Sequence, residues 1–136
     1  MTEPQLRVAF GAVSHQGLVR GANEDSYLTA PPVFLVADGM GGHSGGELAS
    51  RAVVDAFSGL SDRRWLTPDL LAAAVARAAT AVSSVRADGR RPGSTLTGVG
   101  LTQQGGLPCW LVFNIGDSRT HLLRRGELTQ ISVDHS

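Results

Sequence analysis

The stretch Val33–Gly46, VFLVADGMGGHSGG, decides how the rest of the chain is read. Val33, Phe34, Leu35 and Val36 form an unbroken apolar run, the pattern of a short strand buried on both faces. Ala37 follows, and Asp38 comes where the run stops. Five glycines then fall within the eight residues Gly39–Gly46, and a helical pattern starts near Glu47. An apolar strand thus delivers a carboxylate to its tip, in backbone that carries few side chains. Glycine lets main-chain groups approach a ligand closely, so such a tip suits a metal ion or a phosphate. The same residues also fit an Asp-Gly turn followed by a plain loop.

Upstream, Arg7–Ser14 (RVAFGAVS) alternates loosely and predicts a strand, with Gly11 as a bulge or point of close approach. His15–Asn23 is polar and broken by glycine, hence a loop; Asp25–Thr29 resumes a short strand that Pro31-Pro32 turns into the central one. Downstream, Leu48, Ala49, Ala52, Val53, Ala56, Phe57 and Leu60 recur at helical steps. A second helix opens at Thr67 as N-cap, with Pro68 in its first position and Asp69 behind. Its stripe is Leu71, Ala74, Val75, Ala78, Val82 and Val85, and Asp88–Gly93 (DGRRPG) breaks it. Strands follow at Thr95–Thr102, Pro108–Ile115, Thr120–Arg124 and Leu128–Val133, joined by the hairpin-type loops Gln103–Gly106 and Arg124–Glu127. Strands, two helices, then antiparallel strands predict an α+β fold in one domain.

A length of 136 residues fits that single domain. Twelve acidic and twelve basic residues cancel, which argues against nucleic acid or an anionic membrane as partner. Cys109 is the lone cysteine, read from its neighbours Trp110 and Leu111 as a buried thiol, and it excludes an internal disulfide. MTEPQLRVAF lacks the basic and apolar regions of a signal peptide, and no apolar run reaches membrane-spanning length. These features predict a soluble, cytoplasmic protein.

The acids form the second pattern. Asp117 emerges from the apolar run Trp110–Ile115 after Gly116, much as Asp38 emerges from its own strand. Glu24-Asp25 opens the short strand beside Asn23. Carboxylates converging from separate strands make a hard, oxygen-rich site that selects Mg²⁺ or Mn²⁺. A zinc site has no cysteine and histidine cluster to build on. Two such ions can activate a water and clamp a phosphoryl group, and Arg20 could grip two phosphate oxygens as a fork.

RGANEDS (Arg20–Ser26), VADGMGGHSGGELAS (Val36–Ser50), GSTL (Gly93–Leu96) and NIGDSR (Asn114–Arg119) resemble, in order, the motifs of one family. It is the bacterial metal-dependent serine/threonine protein phosphatases (PPM type, the protein phosphatase 2C family). The resemblance implies a four-layer αββα sandwich with two mainly antiparallel sheets. It implies that Asp38 bridges two Mn²⁺ or Mg²⁺ ions, that the Gly39 carbonyl helps hold one, and that Glu24 binds metal with Asp25 supporting it. Asp117 resembles the acid that takes a third, weaker ion, and Arg20 the arginine that holds the substrate phosphate. The implied reaction is hydrolysis of phosphoserine or phosphothreonine in proteins by a metal-activated water. Met40 stands where eukaryotic members carry a general-acid histidine; His43, three residues on, is a candidate acid or a shaper of substrate access. Residues 1–136 correspond to the N-terminal portion of such a domain, without two further metal-binding aspartates. Weak metal binding and slow turnover are therefore expected of the chain alone.

Three rival readings remain. A truncated or degenerate phosphatase domain could serve as a non-catalytic binding or regulatory module. Gly42-His43-Ser44-Gly45-Gly46 fits the G-x-S-x-G of serine hydrolases, with Asp117 and His121 or His135 following in triad order. However, Ser44 lies six residues past Asp38, and the later strands lack crossover helices. Gly39-Met40-Gly41 begins a dinucleotide fingerprint that Ser44 fails to complete.

Overall fold

A computed structural model describes residues 6–42, 44–87, 89 and 91–135. Its elements are β1 (Asp25–Ala30), β2 (Val33–Met40), α1 (Gly45–Ser58), a 3₁₀ turn (Gly59–Asp62), α2 (Pro68–Ser83), β3 (Gly93–Ser94), β4 (Leu96–Gln104), β5 (Leu107–Ile115), β6 (His121–Arg124) and β7 (Glu127–Gln130). Strands β1, β2, β4 and β5 lie side by side, β3 extends the pairing along β2, and β6–β7 form a separate hairpin. All pairings are antiparallel. The α+β class and the two antiparallel sheets agree with the sequence.

The side-chain alternation of the strands separates two faces. Val33, Leu35 and Ala37 of β2 point inward and pack with Val53, Phe57, Ala74 and Ala78 of the helices. Phe57 stacks on Phe113 of β5 at 5.8 Å between ring centroids. Gly98 and Gly100 leave room for this layer. A Cβ on Gly98 would come within 2.8 Å of Phe113, and one on Gly100 within 2.2 Å of Leu66. The opposite face carries Tyr27, Phe34, Val36 and Trp110, of which Tyr27, Val36 and Trp110 are exposed.

Helix α2 starts as its sequence dictates: Thr67 Oγ1 accepts from the Leu70 N–H at 3.2 Å, with Pro68 at the first position. It ends at Ser83, so Val85 falls outside it; Asp88 and Arg90 of the expected breaker lie outside the described residues. Both hairpins close on adjacent positive-φ residues, Gly105-Gly106 and Arg125-Gly126, the geometry that matches strand twist.

Four expectations are corrected. Arg7–Ser14 is not a strand; it forms no ladder with the described strands and lies along the outer face of the sheet, where Phe10 meets Phe34 at 5.2 Å. Alternation supplied the pattern of a strand but no edge with which to pair. Strand β2 is buried on its helix-side face only, and it runs on through Asp38 to Met40 because β1 and β3 both pair with its end. The strand expected at Thr95–Thr102 runs instead from Leu96 to Gln104 as β4, and Thr95 is the break that separates it from β3. Cys109 is half-buried because β5 is the edge of the main sheet.

Candidate metal centre

Asp38 faces outward from the end of β2, directly opposite Asp25 of β1. The Gly39 N–H donates to the Glu24 carbonyl at 3.0 Å, so the adjoining Asp25–Asp38 pair is of the non-hydrogen-bonded kind, in which facing side chains are closest. Asn23 prepares this placement: its Oδ1 accepts from the Asp25 N–H at 3.0 Å, and its Nδ2 donates to Ser14 Oγ at 2.7 Å. Pairing two acids across strands is unfavourable in itself.

Burial first, and then a hydrogen bond to Asp25 with the charges of Asp25 and Asp117, hold the Asp38 carboxyl above the usual carboxylate range; Arg20 pulls it partly back. Asp25, Asp38, Asp117 and Arg20 therefore share one electrostatic neighbourhood. Arg20, Glu24, Asp25 and Asp38 also line a single cavity of about 270 Å³.

Glu24 differs from its neighbour in direction. It pairs across from Gly39, on the helix side of the sheet, and a Cβ placed on Gly46 would come within 2.5 Å of Glu24 Oε2. Its carboxylate therefore lies against the first turn of α1, whereas Asp25 shares the face of Asp38. The backbone between them is tight: a Cβ on Gly39 would sit 1.8 Å from the Gly46 carbonyl oxygen. Glycine at 39 and 46 is a packing requirement.

Asp117 follows Gly116, whose φ is 99°. The returning chain fixes its loop. Asn114 Nδ2 donates to the Val133 carbonyl at 2.8 Å, the His135 N–H to the Gly116 carbonyl at 2.8 Å, and Arg119 forks onto Asp134, its shortest contact 2.7 Å. That fork holds the Asp134 carboxyl below the usual range.

The set offers hard oxygens and a facing pair of acids, donor chemistry that fits Mg²⁺ or Mn²⁺. Among the described residues no three His, Cys, Asp or Glu side chains gather closely enough to hold an ion by themselves. His43 lies outside the described residues. Ser44 caps α1 at φ 64°, beside a β2 whose partners are all antiparallel, so the doubly wound sheet that a hydrolase nucleophile elbow requires is not formed by the described residues.

Sequence reading missed two contributors. His15 lines the cavity with Arg20, its Nδ1 accepting from the Gly17 N–H at 2.8 Å. Its place five residues before Arg20, across a Gly17 of positive φ, was the available signal. Thr95 falls within the GSTL motif and at the start of an expected strand but was given no role, yet it touches both acid-bearing segments.

Residues 21–136 match the family described as Protein phosphatase 2C. The serine/threonine protein phosphatase PstP of Mycobacterium tuberculosis is 41% identical over 140 residues, spanning 98% of this chain and 26% of PstP. The crystal structure of the M. tuberculosis phosphatase PstP/Ppp superposes with a TM-score of 0.75 at 39% identity, covering 90% of this chain and 52% of that one. The PstP catalytic domain in complex with two manganese ions gives 0.71 at 37% identity, covering 90% and 54%. The chain thus spans about a quarter of full-length PstP and about half of these solved structures. On its own sequence and fold, the chain belongs to the protein phosphatase 2C family.

Proposed function

We infer that these residues form the N-terminal share of a Mn²⁺- or Mg²⁺-dependent phosphatase centre acting on phosphoserine and phosphothreonine in cytoplasmic proteins. The observation that carries this reading is the meeting of Asp25 and Asp38 across β1 and β2, with Arg20 and Glu24 lining the same cavity. The relative solved with two manganese ions supports the choice of metal.

Asp38, Asp25 and the Gly39 carbonyl would hold the cation, with Asp117 at the edge of the set. Glu24, expected from the resemblance to bind metal with Asp25 behind it, exchanges roles with Asp25 because its carboxylate lies against α1. A divalent cation bound there supplies Lewis acidity toward a phosphoryl group and an attacking water. Arg20, in the same cavity, offers a planar pair of donors to two phosphate oxygens. The apolar β2 keeps Asp38 at a fixed depth, so that its carboxylate is oriented before substrate arrives.

Hydrolysis of a phosphothreonine peptide by the 136-residue chain is the test. Slow release of phosphate is expected in Mn²⁺, with none in chelator and none from Asp38→Asn. Hydrolysis that persists in chelator would overturn the reading. The sparse acid set also favours a second reading, a module that binds phosphopeptide in a Mn²⁺-dependent way without turnover. Fluorescence anisotropy of the same peptide, with no phosphate released, would select it.

A further inference from the structure

Asp38 and Thr95 stand opposite each other, because Gly39 with Ser94 and Val36 with Thr97 follow one continuous register. A pair of this kind exchanges two main-chain hydrogen bonds. One is present: the Thr95 N–H donates to the Asp38 carbonyl at 2.9 Å. The other is rerouted. The Asp38 N–H donates to Thr95 Oγ1 at 2.9 Å, and the Thr95 carbonyl accepts instead from Ser94 Oγ at 2.8 Å. A side-chain hydroxyl has replaced a main-chain acceptor opposite the acid, which accounts for the break between β3 and β4.

The same hydroxyl reaches the second acid. Thr95 Oγ1 lies 2.6 Å from Ser118 Oγ, in a hydrogen bond that either oxygen can donate. Gly116 approaches so closely that a Cβ there would come within 2.9 Å of Thr95 Cγ2. Thr95 is 5% exposed, so water competes little for its bonds. One buried oxygen thus contacts the backbone of Asp38 and the neighbour of Asp117.

We propose that Thr95 is a positioning residue: its hydroxyl sets the separation of the Asp38 and Asp117 carboxylates, so that divalent-cation binding at Asp38 depends on the loop of Asp117. The proposal rests on the cation-site reading above. Valine at 95 keeps the shape and removes the hydroxyl, whereas serine keeps the hydroxyl and removes a methyl.

Mn²⁺ titration of the whole chain, with free Mn²⁺ read by electron paramagnetic resonance, tests it. Thr95→Val and Ser118→Ala should each weaken binding roughly three- to tenfold, since partners that orient ligands commonly matter this much or more. Their double variant should be no weaker than Thr95→Val, and Thr95→Ser should stay within about twofold of the unaltered chain, because both changes act through one bond. Ser118→Ala, in a loop, reads the same bond if Thr95→Val fails to fold. Wild-type binding by Ser118→Ala and Thr95→Val, or a Thr95→Ser loss as large as that of Thr95→Val, would overturn the proposal. If Asp38→Asn also left Mn²⁺ binding intact, the cation site itself would fall. If Asp38→Asn lost binding while Thr95→Val kept it, the positioning role alone would fall.

Discussion

Asp38 and Asp117 are both acids that follow apolar strands, but the molecule holds them by different means. Asp38 lies within β2, paired with Asp25 on one side and gripped by Thr95 on the other. Its neighbour Gly39 is packed so closely that no other residue fits. Asp117 lies past the end of β5, on a positive-φ turn fastened by the segment 132–135. One acid is fixed by the sheet and the other by a clasp. The first should therefore be costly to disturb and the second adjustable.

The sharpest way to break this contrast is at the backbone. Gly39→Ala drives a methyl into the Gly46 carbonyl, and it should cost about 3 kcal/mol of stability in urea unfolding, at the upper end of overpacking penalties. The corresponding clasp change, Arg119→Gln, breaks an exposed fork and should shift the urea midpoint far less than Gly39→Ala does.

Cation affinity should show the same ranking. Asp38→Asn should lower Mn²⁺ affinity on the order of a hundredfold and Asp117→Asn about fivefold, because affinity follows the number and rigidity of charged ligands. Calorimetric titration checks both. Equal losses would erase the distinction between the two acids.

The metal-free chain sharpens the comparison through pH. Asp38 binds its proton more tightly folded than unfolded, so stability falls as pH rises from the ordinary carboxylate range through the raised value. Asp38→Asn should remove that slope and stabilise the metal-free chain at neutral pH by about 0.2–1 kcal/mol, the usual cost of facing like charges. Asp134 has the opposite sign. Its contribution is present above the ordinary range and lost as pH falls through its lowered value. Thermal melts in chelator across pH 3–8 separate the two. In Arg119→Gln the acid-side loss should be reduced.

Much of this was legible in the sequence where structure is local. The Thr67-Pro68 cap, the helical stripes and the glycine-bearing hairpin loops each depend on neighbours a few residues away. The acids could be named for the same reason, since each sits at a visible change from apolar run to glycine. What escaped depends on partners distant in the chain. Arg7–Ser14 alternates like a strand but lies beside Phe34 without a pairing edge. Asp25 and Glu24 are adjacent in sequence, yet only register shows which of them faces Asp38. The hydroxyl of Thr95 replaces a carbonyl across 57 residues of chain, and no local pattern reports such an exchange. Among the described residues no helix is long and apolar enough to cross a membrane, in keeping with the hydropathy of the sequence.

The central claim is that a divalent cation binds at Asp25 and Asp38, within reach of the loop of Asp117. Amide signals of the chain in a two-dimensional ¹H–¹⁵N NMR spectrum, recorded with substoichiometric Mn²⁺, test it most directly. The account predicts that residues 24–25, 38–39 and 116–118 broaden together and first, and that Asp38→Asn abolishes the effect. Broadening confined to other acidic residues, or affecting 38 without 117, would contradict it.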